Sequence, residues 1–233
     1  MVEPTGSRPA VAGWPDWSRR FAWDQGEHVT LLGPTSAGKT HVARLLLPRR
    51  DYVVAIATKP RDPLVDRFRA DGFKIVRQWP PPPLVDRVLL WPRMRTPDDV
   101  LDQRETIRQA LADIYVQGGW TVYIDEMSYV TGRPLNLSAE LELLWTQGRA
   151  LGVTVVAATQ RPAHVPLVAY SQATHVLAWQ TNDDRDVKRL GELAGPFDRH
   201  ALGEVVAGLP PHAFAHISTR TGSVTVTRAP APT

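Results

Sequence analysis

The sequence predicts an α/β fold with a mainly parallel central sheet flanked by helices and a C-terminal β-hairpin. Three observations carry that prediction. Apolar runs such as Tyr52–Ala57 and Val153–Thr159 are unbroken, as strands covered on both faces read. These runs alternate along the chain with segments of helical period. Near the end, Ala213–Ile217 and Ser223–Thr227 flank the turn Thr219–Gly222, the pattern of a hairpin.

Residues 1–18 are rich in Pro, Gly and Ala and read as a loose arm. A single domain is expected over 19–228, with 229–233 as a tail. Phe21-Ala-Trp23 alternates like a short strand. Trp14, Trp17 and Trp23 are expected to cover one edge of the sheet; a stacking surface for an adenine base is the alternative.

Val29–Leu32 is an apolar strand, followed by Gly33-Pro34-Thr35-Ser36-Ala37-Gly38-Lys39-Thr40; a helix begins near Lys39, includes His41 and runs to about Leu47. The eight residues fit GxxxxGK[ST] at every fixed position. Gly33 and Gly38 let the backbone curl so that its N–H groups point at phosphate oxygens, and the helix N-terminus behind them adds partial positive charge. Lys39 can reach the β- and γ-phosphates, and the Thr40 hydroxyl can ligate Mg²⁺. Residues 33–41 are therefore the expected site for ATP and Mg²⁺.

The strand Tyr52–Ala57 ends in Thr58-Lys59-Pro60-Arg61-Asp62. Lys59 and Arg61 thus stand beyond a carboxyl end, the edge where open α/β sheets bind ligands; they are either ligand contacts or solvated loop charges. Asp62–Asp71 suits a helix and Phe73–Trp79 a strand. Pro80–Pro83 lacks backbone donors and fits a loop or an edge. Val88–Trp91 is a further short strand. Pro97–Gln117 is the clearest helix, with Thr96 as cap, acids in its first turn, and Leu101, Ile107, Leu111 and Ile114 as an apolar stripe.

Trp120–Ile124 is a strand ending in Asp125 and Glu126. Beside a P-loop, a carboxylate at a neighbouring strand end can hold the metal's water shell, and Asp125 suits that role. Glu126 can orient or deprotonate the attacking water. A helix over Leu137–Leu151 carries Arg149 near its end, either as a cation on the helix dipole or as an arginine finger. Gln160 closes the strand Val153–Thr159, as a γ-phosphate sensor or a turn residue. His175–Trp179 and Asp183–Ala194 supply one more strand and helix.

Composition narrows the alternatives. The 233 residues contain no cysteine, which excludes disulfides, thiolate metal sites and a cysteine nucleophile. No apolar run approaches the roughly 18 residues needed to cross a bilayer, so a soluble, cytoplasmic protein without a membrane partner is expected. A net charge of +3 permits a polyanionic partner without requiring one. His212 and His216 are four apart in a strand-like segment, a spacing that forms no helical metal clasp.

Four segments, in order, resemble the FtsK/HerA ATPases, ring motors that move double-stranded DNA and include viral genome-packaging ATPases. They are GPTSAGKT, VYIDEM, TQGRALGVTVVAATQRP, and HVLAWQTND with RDVKRLGEL. The third is the most specific, and the likeness covers about residues 21–227. It implies an additional-strand, RecA-like P-loop NTPase fold. It further implies Lys39 and Thr40 on phosphate and Mg²⁺, Asp125 on the metal, Glu126 as catalytic carboxylate, Gln160 as sensor and Arg149 as a finger reaching a neighbouring subunit. A homo-oligomeric ring around duplex DNA is implied, commonly a hexamer, with a pentamer as the alternative, together with a viral portal or a conjugation channel. A packaging motor in the host cytoplasm is the leading reading. A conjugative or mobile-element motor and, more distantly, a small-molecule kinase or a nucleotide-gated scaffold are the others.

Overall fold

The structure, a computed structural model, describes residues 8–160, 166–181, 183–191, 197 and 199–231. The chain opens with a two-residue strand β1 (Ala10–Val11) and helix α1 (Trp14–Arg20). β2 (His28–Leu32) feeds the P-loop and helix α2 (Lys39–Leu46). Then come β3 (Val53–Ile56), α3 (Leu64–Ala70), β4 (Lys74–Val76) and β5 (Arg87–Leu90). A 3₁₀ turn at Pro97–Asp99 opens α4 (Val100–Gln117), where the Asp99 carboxylate accepts the N–H groups of Arg95 and Thr96. β6 (Thr121–Ile124) is followed by α5 (Met127–Thr131) and α6 (Ser138–Gln147). β7 (Thr154–Thr159), α7 (Val168–Ser171), β8 (Ala173–Trp179), α8 (Asp184–Gly191) and α9 (Arg199–Ala207) lead to the hairpin β9 (Ala213–Ser218) and β10 (Ser223–Arg228).

All ten strands form one sheet in the order β1-β10-β9-β8-β2-β7-β6-β3-β5-β4. The seven strands from β8 to β4 are parallel, so their carboxyl ends share one edge. β9 runs antiparallel to β8, and β10 to β9, which makes the expected hairpin the antiparallel flank of the sheet. β7 stands between the P-loop strand β2 and the Asp125 strand β6, which is the additional-strand arrangement. Because side chains alternate along a strand, each buried strand feeds two cores. Val54 and Ile56 join one with Ile107 and Leu144; Val53 and Ala55 join the other with Val42 and Phe68.

Several expectations are corrected. The arm is not loose over residues 10–18: β1 pairs with β10, and α1 buries Trp17 to 3% exposure. Phe21–Trp23 is not a strand; its rings pack in an aromatic cluster with Trp17, His175 and His216. Trp14, Trp17 and Trp23 thus cover the sheet, as the simpler reading held. The Trp23 indole donates to the Glu27 carbonyl, closing the turn that leads into β2. Leu101 faces solvent, and Gln103 takes the buried position instead, its amide donating to the Thr58 carbonyl. The second long helix stops at Gln147 because the chain turns at Gly148–Gly152, where the Val153 N–H bonds to the Gly148 carbonyl. β4 covers only the middle of Phe73–Trp79. The expected helix beyond Gly191 continues into 192–194, which lie outside the described residues. α5 and α9 had no counterpart in the sequence reading.

Candidate active site

The site is built at the carboxyl edge of β2, β7 and β6. β2 ends at Leu32, where Gly33 turns the chain beneath Trp179 of β8. A Cβ on Gly33 would lie 2.7 Å from the Trp179 Cβ, so this position admits glycine alone. Gly38 has φ 112°, the left-handed region, and stands at the N-cap of α2. Ser36 also has positive φ, at 63°, the kind of strained backbone that clusters at functional turns. Pro34, Thr35 and Ser36 are exposed, and Ala37 is half-buried.

Lys39 is buried at the start of α2. Its Nζ donates to the carbonyls of Gly33 (2.6 Å) and Pro34 (2.8 Å). Burial lowers its pKa, Asp125 and Glu126 oppose that shift, and the charge of Lys59 adds to it. The ammonium therefore lies in the joint field of both site carboxylates.

The Thr40 hydroxyl donates to Asp125 Oδ1 at 2.7 Å, and the Tyr123 hydroxyl donates to the same oxygen at 2.6 Å. Burial and the neighbouring Asp125 raise the Tyr123 pKa, so the phenol stays a neutral donor. Thr40 and Asp125 present two hard oxygens side by side, a donor set that fits Mg²⁺, an ion that keeps most of its waters and takes few protein ligands.

Glu126 is held by two other side chains. Its Oε1 accepts from Ser128 Oγ at 2.6 Å and its Oε2 from Gln160 Nε2 at 2.8 Å. β6 and β7 are adjacent, so the residues just past their ends meet. The structure thus brings together Lys39, Thr40, Asp125, Glu126 and Gln160. A carboxylate braced on both oxygens, next to a metal-type pair, can accept a proton from a water at a phosphoryl group. Sequence reading missed Ser128, Tyr123 and Trp179. Ser128 carries a weak local signal, a hydroxyl two residues past Glu126; Tyr123 and Trp179 look like ordinary strand aromatics.

The remaining residues lie elsewhere. Lys59 and Arg61 are exposed beyond β3, at the same edge as the site, and neither makes an ion pair among the described residues. His41 lies in the first turn of α2, where its Nε2 bonds to the Pro230 carbonyl at 2.8 Å, tying part of the expected tail to the P-loop helix. Arg161 and Pro162, at the end of the third resemblance segment, lie outside the described residues. Arg149 does not join the site. It sits in the turn after α6 rather than in the helix, and its backbone touches Gly26, ahead of β2. The five residues of β2, at about 3.3 Å each, put roughly 16 Å of strand between it and its own P-loop.

No family model matches the chain. The DNA packaging ATPase P9 of Enterobacteria phage PRD1 is 26% identical over 163 residues, a match spanning 69% of this chain and 66% of P9. Among solved structures, the genome packaging NTPase B204 of Sulfolobus turreted icosahedral virus 2 superposes with a TM-score of 0.66 at 14% identity. That alignment covers 91% of this chain and all of B204. The type VII secretion ATPase EccC of Thermomonospora curvata aligns over 90% of this chain and 26% of its own cytoplasmic domain, with TM-score 0.54 and 16% identity. B204 has also been solved with the ATP analogues AMPPCP and ATP-gammaS. The chain therefore has the P-loop NTPase fold of these ATPases and is similar, in sequence and in structure, to viral genome-packaging ATPases.

Proposed function

We propose that this protein is a viral genome-packaging ATPase, hydrolysing ATP to move double-stranded DNA. One observation carries the reading: Glu126 is braced by Gln160 and Ser128 beside the Asp125–Thr40 pair at a complete P-loop. The likeness to P9 supports the choice of packaging over other P-loop work.

The phosphates would lie over the amides of residues 33–40, with Lys39 leaving the Gly33 and Pro34 carbonyls for the β- and γ-phosphates. Thr40 and Asp125 would hold Mg²⁺, which neutralises phosphate charge when bound. Glu126 would then take the proton of the attacking water, and Gln160, bonded to it, would register the γ-phosphate. Arg149 lies ahead of β2, at the other end of that strand from its own P-loop, so its use as a finger requires a second subunit, and a ring would supply one. A hexamer or a pentamer would serve, acting in the host cytoplasm at a portal.

Turnover of ATP with and without long duplex DNA tests the reading. Stimulation by duplex is expected. Glu126→Gln should retain nucleotide binding and lose at least a hundredfold in turnover, whereas Lys39→Ala should weaken binding itself. Equal turnover by Glu126→Gln and the parent would remove Glu126 from the mechanism. Stimulation by a small metabolite in place of DNA would favour the kinase reading.

A further inference from the structure

The carboxyl edge of the sheet continues past the ATP site, from β3 across β5 to β4. Three successive strand ends there carry cations: Lys59 and Arg61 after β3, Arg93 and Arg95 after β5, and Arg77 after β4, all exposed. With strands about 4.8 Å apart, the ledge is about 10 Å wide, room for about three nucleotides of rise along one DNA strand. We propose that this ledge grips the phosphate backbone of duplex DNA, with Arg77, Arg93 and Arg95 as its outer contacts.

The ledge is built, not incidental. The Trp91 indole donates to the Lys59 carbonyl at 2.9 Å, fastening the end of β5 to the loop after β3. The Arg77 guanidinium lies 3.8 Å from the centre of the Trp91 ring and donates to the Trp91 carbonyl at 2.9 Å. Burial and the neighbouring charge of Arg93 both lower the Arg77 pKa, so like charges are held together here. None of the five cations is in an ion pair among the described residues.

The ledge borders a cavity of about 890 Å³, the wide groove between β4, β5 and α4. Carboxylates line its far wall, but two of them are engaged locally: Asp99 caps α4, and Glu105 pairs with Arg108. Asp102 has no partner among the described residues and would repel a phosphate, which marks the outer limit of the track.

The same geometry links the ledge to catalysis. Gln103 is fully buried, donates to the Thr58 carbonyl next to Lys59, and accepts from the Tyr129 hydroxyl at 3.2 Å. Tyr129 belongs to α5, the helix that begins just after Glu126. Two hydrogen bonds therefore join the Lys59 loop to the helix that follows Glu126.

This inference rests on the DNA-moving function proposed above. The test uses the full chain with AMPPCP and a fluorescent 40-base-pair duplex, with affinity followed by anisotropy over a salt series. Arg77→Gln/Arg93→Gln/Arg95→Gln should weaken binding at least tenfold. The slope of log affinity against log salt should fall by about two to three, since each phosphate contact contributes about 0.9. Turnover without DNA should not change. Because Arg77 also packs on Trp91, Arg93→Gln/Arg95→Gln is measured alongside and should lower the slope by about two. Asp102→Asn should tighten binding. Parental affinity and slope in both Arg variants, with the parent binding duplex well, would overturn the ledge and leave the packaging function standing. A parent that binds no duplex at any salt would overturn both.

Discussion

Acid should unfold this protein through histidines held uncharged in its interior. Trp17 Nε1 donates to His216 Nδ1 at 3.1 Å, His216 Nε2 meets His175 Nδ1 at 3.0 Å, and His175 Nε2 meets Glu27 at 3.2 Å. With both rings neutral, one set of tautomers satisfies every bond in that chain. A second proton on either ring would leave two N–H groups facing each other. His28, between β7 and α6, accepts the Val155 N–H at Nδ1. Burial lowers the His216 pKa from 6.5 to about 3, with His175 contributing. Burial and the Arg149 charge lower that of His28 to about 4. Burial also lowers that of His175, against the pull of Glu27.

A folded-state pKa below the unfolded value means that the unfolded chain binds protons first as pH falls. Stability is then full above pH 6.5 and is lost progressively below it. At pH 5.5 the unfolded chain gains about 1.4 kcal/mol for each of His28 and His216, about 3 kcal/mol together, and His175 adds in the same direction. For a chain of this size that is a drop in Tm of about 6–12 °C. Glu27 does not confuse the comparison. Burial pushes its pKa up, but the Asp24 amide, His175 and Arg220 outweigh that and leave it below 4.5, so its contribution is constant between pH 7.5 and 5.5. Urea denaturation at pH 7.5 and 5.5 in constant salt measures the loss. An unchanged midpoint would refute the buried-neutral assignment.

Two further outcomes are expected. Arg149→Ala should fold and bind ATP yet lose about 10³-fold or more in turnover, and mixing it with inactive Lys39→Ala subunits should restore part of the activity; a mixture that exchanges subunits and stays inactive would show that Arg149 does not act across an interface. Gly33→Ala should cost about 1–3 kcal/mol, since its Cβ would press on Trp179, and should also weaken ATP binding; thermal melts and nucleotide titration equal to the parent would contradict the close packing at Gly33.

The parts of the candidate site were legible because each is a local pattern. Gly33–Thr40 is a contiguous motif whose spacing is itself the chemistry, and Asp125, Glu126 and Gln160 sit where apolar runs end. In a parallel sheet the ends of such runs fall on one edge, so knowing the strands places the residues. The antiparallel flank was legible for the same reason, since a hairpin is local in sequence. What the sequence did not contain is which distant residues become neighbours. Trp17 looks like part of a loose arm until His216 accepts its N–H across 199 positions. Leu101 yields its expected burial to Gln103, whose amide donates to the Thr58 carbonyl, a bond that a leucine cannot make. Arg149 reads as a helix-end cation, and only the turn at Gly148–Gly152 sets it at the edge opposite its own P-loop. The cations after β3, β5 and β4 are scattered over Lys59–Arg95 and form a ledge only because those strands are adjacent. Local stereochemistry writes motifs and strand ends into the sequence, whereas long-range packing chooses the neighbours that decide charge, burial and reach.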